Sequence, residues 1–216
     1  MKWIPAVDLF STEQSASTDF TILVVCTGNI CRSPLAAQYL EDELAGLDIV
    51  TVKSAGTMGL VGRDMPDQAK QLAARRGRNA RVHVAQELSS ELVRTSDLVL
   101  AMSREHRKAI VSMFPRSAAN TFTIREFERL ASALSYGDLE NARSKSSTAA
   151  RLRAAVAEVA SRRGLVLQPA DQDDDDVIDP YRLSDAIFDR AGDQLYPAAD
   201  VVVRVLRDAT APVARS

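Results

Sequence analysis

Thr21-Ile22-Leu23-Val24-Val25-Cys26-Thr27-Gly28-Asn29-Ile30-Cys31-Arg32-Ser33-Pro34 is the stretch from which the rest of the chain can be read. It opens as a short, β-branched apolar run of the kind that suits a strand buried on both faces. Thr27-Gly28-Asn29 is a turn signal. Ser33 is a preferred helix cap and Pro34 suits a first helical position. Leu35, Ala36, Tyr39, Leu40 and Leu44 then recur at helical spacing. The stretch therefore reads strand, tight loop, helix.

The rhythm repeats downstream. Residues 49–54 read as a second strand, followed by a loop through Gly56, Gly59 and Gly62 and a helix over 66–76 that Gly77 stops. Residues 97–102 read as a third strand, and Ser103 caps a helix that Pro115 ends. A short fourth strand is expected at 120–124 and a helix at 125–134. Alternation of this kind predicts an α/β fold, a four-stranded parallel sheet flanked by helices. Residues 184–207 read as one amphipathic helix, or two hinged near Tyr196-Pro197. Residues 1–19 are read as an N-terminal extension, 20–208 as the domain, and 209–216 as a C-terminal tail.

Residues 135–176 break the pattern and are expected to be an insertion. Residues 141–163 are Ala- and Arg-rich with helical period, carrying Arg143, Lys145, Arg151, Arg153, Arg162 and Arg163. The run Asp171-Gln172-Asp173-Asp174-Asp175-Asp176 is expected to stay solvated and unordered. A docking partner on the basic helix is one reading of this insertion; a solvated face is the other.

The chain has 216 residues, 46% hydrophobic and 26% charged, which fits one soluble domain able to bury a core unaided. Net charge is −2, from 27 basic and 29 acidic side chains, which argues against nucleic-acid binding by backbone electrostatics. Aromatics at 5% argue against a base-stacking platform. No segment has the length of a membrane span, and the first residues lack the apolar core of a signal peptide. Two cysteines are too few for a secreted disulfide framework. The expected compartment is the reducing cytoplasm, where a thiol stays available for chemistry.

Cys26 ends a buried strand and Arg32 follows six positions later, at the threshold of a helix. Ligands of α/β sheets bind beyond the carboxyl ends of strands. A loop that curls before a helix turns successive N–H groups inward, making an anion nest backed by the helix dipole. Arg32 adds a planar fork matched to phosphate oxygens. Thr27, Gly28, Asn29, Ile30, Cys31, Arg32 and Ser33 are thus candidate phosphate-binding residues. Such surroundings favour a thiolate over a thiol, so Cys26 is the candidate nucleophile.

Residues 26–34 resemble the signature loop of the low-molecular-weight protein tyrosine phosphatases. Ser54-Ala55-Gly56-Thr57, then Gly62, Pro66-Asp67 and Ala69, follow the same family pattern, as do His83, Ala85 and residues 97–102. Asp179-Pro180-Tyr181 resembles the family's general-acid loop. The resemblance covers about residues 20–130 and 177–208. It implies hydrolysis of a phosphotyrosine-containing protein or peptide through a phosphocysteine, with Asp179 as general acid and no metal or other cofactor. It also implies a supporting network of Asn29, Ser33, Ser54 and His83. For His83 a brace rather than a base is expected. Members with a second loop cysteine protect the nucleophile reversibly by a disulfide, which points to Cys31 as a redox partner.

Two departures bear on substrate choice. Many members carry Trp in the loop after Thr57, where this chain reads Met58-Gly59-Leu60-Val61, and only one Tyr follows Asp179-Pro180. The substrate wall is left to Leu60 and Tyr181. Rival readings are a protein arginine phosphatase, which tends to have Thr where Ile30 stands, and an arsenate reductase, whose cysteine relay this chain lacks beyond Cys31. Two further rivals are a silent phosphate-binding adaptor and a zinc module of Cys26, Cys31, His83 and His106. His106 itself reads as part of a solvated helix face.

Overall fold

β1 (Phe20–Cys26) is buried along nearly its whole length and occupies the interior of the sheet, as its continuous apolar run predicts. The computed structural model describes residues 18–212, so most of the expected N-terminal extension and the last four residues lie outside the described residues. After β1 come α1 (Arg32–Glu43), β2 (Val50–Gly56), α2 (Asp67–Arg75), α3 (Ser90–Arg94) and β3 (Leu98–Ala101). Then follow α4 (Arg104–Met113), β4 (Thr121–Thr123), α5 (Ile124–Ala131), α6 (Glu140–Arg143), α7 (Thr148–Ser161) and α8 (Asp185–Thr210). The sheet order is β2-β1-β3-β4 and every pairing is parallel.

Alternate residues of β1 feed two cores. Phe20, Ile22, Val24 and Cys26 join Leu35 and Leu40 of α1, Leu72 of α2, Phe127 of α5, Leu152 of α7 and Phe188 of α8. Leu23 and Val25 face Val93 of α3 and Ile110 of α4 on the other side. Period-2 alternation along one strand thus builds both layers. α8 runs as one helix with Pro197 inside it, which settles the question of a hinge.

The expected 141–163 helix is interrupted. Ser147 accepts from the Ala150 N–H and starts a new helix, so residues 144–147 separate α6 from α7. The arginines of this insertion are engaged rather than displayed. Arg153 bonds Asp97 (2.7 Å) at the base of the sheet. Arg143 is buried with its guanidinium 3.8 Å from the Tyr136 ring centroid. Arg163 bonds Glu126 (2.9 Å) and the Thr121 carbonyl (2.6 Å).

The acidic run is ordered, contrary to expectation. Residues 172–175 form a 3-10 turn in which Arg129 pairs with Asp175 (2.7 Å) and Arg104 with Asp173 (2.6 Å). Asp176 caps the first N–H of α4 at Arg104 (2.8 Å). Neighbouring arginines and a helix N-terminus supply the compensation that an isolated acidic block lacks. The last residues of the run deliver the chain to Val177, whose N–H donates to the Met102 carbonyl (2.9 Å) at the end of β3.

Candidate active site

The loop from Cys26 to Arg32 turns its carbonyls outward. Those of Cys26, Thr27 and Gly28 accept from the N–H groups of Thr57 (2.9 Å), Met58 (3.0 Å) and Leu60 (3.0 Å). The Asn29 carbonyl accepts from His83 Nε2 (2.7 Å). Among the described residues, the backbone N–H groups of residues 27–31 donate to no protein acceptor. Carbonyls out and donors in is the geometry of an anion nest at a helix N-terminus. Asn29 has φ 54°, a left-handed turn that Asn tolerates. Gly56 of β2 lets the loop sit this close: a Cβ there would meet the Thr27 carbonyl oxygen at 2.4 Å.

Beneath the nest lies a buried polar network. Cys26 Sγ is 3.0 Å from Ser33 Oγ. Asn29 Nδ2 donates to both Ser33 Oγ (2.9 Å) and Ser54 Oγ (2.9 Å). With an Asn29 hydrogen already accepted, the Ser33 hydroxyl has its own hydrogen for the sulfur. Ser33 was expected to cap α1, yet the helix begins at Arg32 and its N-cap, Cys31, makes no side-chain cap bond. The hydroxyl is given to the thiol instead. Sequence reasoning missed Gln86, whose backbone N–H donates to Asn29 Oδ1 (2.9 Å) and whose side chain donates to the Ser54 carbonyl (2.8 Å). A main-chain contact leaves no residue-type signal to read.

Arg32 is 5% exposed and bridges two loops. Nη1 donates to the Val177 carbonyl (3.0 Å), Nη2 lies 2.7 Å from Asp179 Oδ2, and the buried Nε has no partner. An orphaned N–H on a buried guanidinium fits an oxyanion ligand, since such a donor is costly unless satisfied. Asp179 is held in turn by the Tyr181 N–H (3.1 Å). Asp179 stands half exposed over the cleft.

Cys26, Thr27, Gly28, Ile30, Cys31 and Arg32 form the floor of a cavity of about 320 Å³; Met58, Leu60, Asp179 and Tyr181 form its walls. Leu60 and Tyr181 both line the cavity, and Met58 adds an apolar side chain that the sequence reading did not name. Glu87 accepts from the Gly59 N–H (2.7 Å) and the Gly62 N–H donates to Ala85 (2.9 Å), so this wall loop is pinned at both ends.

The remaining titratable groups divide sharply. Burial pushes the Cys31 thiol up to about 12, with the neighbouring Cys26 and Asp179 adding to the effect and Arg32 opposing it. Both cysteines are free and buried. His106 does not lie on a solvated face. It is buried, with Nε2 2.8 Å from Thr27 Oγ1 and Nδ1 2.8 Å from Ser103 Oγ. Burial and the nearby Arg32 lower it to about 4, against a smaller opposing effect of Asp179. Its position three residues after the capping Ser103 was the available signal, because that spacing folds the ring back over the cap. The two histidines turn their Nε2 atoms to Asn29 and Thr27 rather than toward the cysteines. Among the described residues no group of three or more His, Cys, Asp or Glu is placed to hold a metal ion.

A thiol beside a run of backbone N–H groups without protein acceptors, at the carboxyl end of an interior strand, fits a cysteine-centred oxyanion loop on a parallel α/β sheet. The chain belongs to the low molecular weight phosphotyrosine protein phosphatase family, whose model matches residues 21–162. It is 42% identical over 101 residues to the low molecular weight protein-tyrosine-phosphatase Etp of Escherichia coli (strain K12), covering 47% of this chain and 66% of that one. It is 39% identical over 109 residues to a protein-arginine-phosphatase of Geobacillus stearothermophilus, covering 50% and 71%. Its structure superposes on the Erwinia amylovora tyrosine phosphatase amsI with a TM-score of 0.59 at 26% identity, covering 85% of this chain and 91% of that one. Asp179 lies beyond the matched 21–162 stretch, so its assignment rests on its position over Arg32.

Proposed function

We propose that residues 20–208 hydrolyse phosphate monoesters, with phosphotyrosine in a protein or peptide as the preferred substrate. The observation that carries this reading is the convergence of Cys26, Arg32 and Asp179 on one cavity, with the buried Arg32 Nε left without a partner. The nest N–H groups of residues 27–31 and Arg32 take the equatorial phosphate oxygens, where charge is stabilised in the transition state. The Cys26 thiolate attacks phosphorus, the P–O ester bond breaks, and Asp179 gives its proton to the departing oxygen. Asp179, now a carboxylate, takes a proton from water as that water attacks the phosphocysteine. The S–P bond breaks, inorganic phosphate leaves, and the Ser33 hydroxyl donates to the returning thiolate. Ser54, Asn29 and His83 hold the loop.

The apolar wall of Met58, Leu60 and Tyr181 beside Ile30 supports an aryl ester over a phosphoguanidine. Likeness to a protein-arginine-phosphatase keeps the second substrate class in play. No helix of the described residues is long and apolar enough to cross a membrane. Two free cysteines fit a reducing cytoplasm as the compartment, and a net charge of −2 fits an enzyme that acts without nucleic acid. Cys31 serves as the resolving thiol for an oxidised Cys26. A docking partner on the 135–176 insertion would meet the exposed Leu165 and Leu167, since the arginines of that insertion are engaged within the fold.

The test is phosphate release from matched phosphotyrosine, phosphoserine and phosphoarginine peptides in chelator-containing buffer. The proposal expects turnover that survives the chelator and is fastest on phosphotyrosine. Fastest turnover on phosphoarginine would move the assignment to the second class, and no release from any peptide would reject catalysis.

A further inference from the structure

The cleft has a second tier that runs away from substrate. Thr27 lines the cavity, and its Oγ1 lies 2.8 Å from His106 Nε2 and 3.5 Å from Arg32 Nη2. His106 Nδ1 lies 2.8 Å from Ser103 Oγ, and the same Oγ accepts the His106 backbone N–H (3.3 Å) at the start of α4. The hydrogens of this chain of contacts can be counted.

Ser103 Oγ receives a backbone hydrogen and has one of its own. Among the described residues no other acceptor stands near that hydroxyl than His106 Nδ1. Either tautomer leaves one hydroxyl hydrogen without a protein acceptor; Ser103 is buried and Thr27 lines the cavity, so the assignment that satisfies the buried hydroxyl has Ser103 donating to Nδ1 and the neutral imidazole carrying its proton on Nε2. Nε2–H then donates to Thr27 Oγ1, which also accepts from Arg32. That leaves the Thr27 hydrogen without a protein acceptor, on a residue that lines the cavity. The displacement of His106 to about 4 agrees with an imidazole that stays neutral at physiological pH.

We propose that His106 is a positioning residue for phosphoryl transfer: through Nε2 it orients the Thr27 hydroxyl to donate to an oxygen of the bound phosphoryl group. This rests on the phosphatase reading above, in which the cavity holds a phosphate. The Thr27 hydroxyl thereby becomes a donor beside the backbone N–H groups. α4, with its N-cap Ser103 and with His106 in its first turn, becomes part of the site's support.

The experiment compares Thr27→Val, His106→Leu, His106→Gln, Ser103→Ala and the double variant Thr27→Val with His106→Leu. For each, kcat and KM on phenyl phosphate and the inhibition constant of inorganic phosphate are measured, with thermal unfolding as the folding control. A lost hydrogen bond to a charged group predicts a fall of about tenfold or more in kcat/KM for Thr27→Val and for His106→Leu. Phosphate inhibition should weaken in both. The double variant should lose no more than Thr27→Val alone, and His106→Gln, which keeps an N–H donor, should recover most of the loss. Ser103→Ala should lose about threefold. A folded His106→Leu within twofold of wild type overturns the proposal, as does a full additional loss in the double variant. If His106→Leu does not fold, unchanged kcat/KM in Ser103→Ala overturns it. A wild type that releases no phosphate fails the underlying phosphatase reading instead.

Discussion

Asp179 Oδ2 lies 2.7 Å from Arg32 Nη2, so the carboxylate proposed as general acid rests on the guanidinium proposed to bind the phosphate. An arriving dianion must share or take over that N–H. The exposed side of the pair limits its strength, since solvent screens it. The contact is thus easily exchanged, and it keeps Asp179 at the cavity that Cys26 also lines.

Asp179→Asn separates these two roles. A positioned general acid contributes typically 10²–10⁴-fold. The kcat on phenyl phosphate should fall by about that amount, while a nitrophenyl ester, whose leaving group needs no proton, should lose far less. Inorganic phosphate should inhibit the variant at least as well as the wild type, because Nη2 is released. Steady-state kinetics on the two esters checks this, and equal losses would remove Asp179 as the acid.

Stability against pH should carry the signature of His106. Its folded-state value of about 4 lies below the ordinary 6.5, so the unfolded chain binds the proton first as pH falls. The stability it contributes is present above pH 6.5 and is lost between 6.5 and 4. A displacement of that size is worth about 3 kcal/mol. Urea unfolding at both pH values should show wild type losing more than His106→Gln by roughly that amount. Identical losses would contradict a buried neutral ring.

The insertion should behave as part of the core. Leu152 of α7 is fully buried, whereas Leu167 is 88% exposed. Leu152→Ala should cost about 2–5 kcal/mol in denaturant unfolding. Leu167→Ala should stay within about 0.5 kcal/mol. A small cost at Leu152 would mean that α7 is an appendage.

Ile30 should set the balance between ester classes. Its side chain lines the cavity floor beside Met58 and Leu60. Ile30→Thr removes apolar contact with an aryl ring and adds a hydroxyl. The ratio of phosphotyrosine to phosphoarginine kcat/KM should narrow by about tenfold, within the range one apolar group commands. An unchanged ratio would place selectivity elsewhere in the wall.

Cys31 should protect Cys26 slowly at neutral pH. Peroxide converts the Cys26 thiolate to a sulfenic acid, and attack by Cys31 sulfur then forms the disulfide and expels water. The attacking form is the thiolate, and Cys31 is held up near 12. Disulfide formation should therefore accelerate as pH rises, and dithiol should restore activity in wild type but not in Cys31→Ser. Equal recovery of the two would exclude the switch.

Much of this arrangement was legible in residues 21–34, because a buried strand, a turn and a helix start are each marked by residue type. β1, the loop and α1 follow from that stretch, and the parallel sheet follows from the alternation downstream. The helix start itself was misread, since Ser33 spends its hydroxyl on Cys26 rather than on capping. His106 and Gln86 escaped because their contacts depend on which way an element is rolled and on a main-chain N–H. The acidic run was misjudged for a related reason. Its compensation comes from Arg104 and Arg129, some 40 to 70 positions away, which no local window contains.

The central claim is covalent catalysis by Cys26. Rapid quenching of the wild-type protein and of Asp179→Ala during turnover of an aryl phosphate, followed by mass spectrometry of the peptide containing residue 26, tests it directly. Covalent catalysis requires one phosphoryl group on Cys26, accumulating in Asp179→Ala because hydrolysis of the intermediate is slowed, and no turnover in Cys26→Ser. Undiminished turnover by Cys26→Ser, or phosphate release with Cys26 never modified, would contradict it.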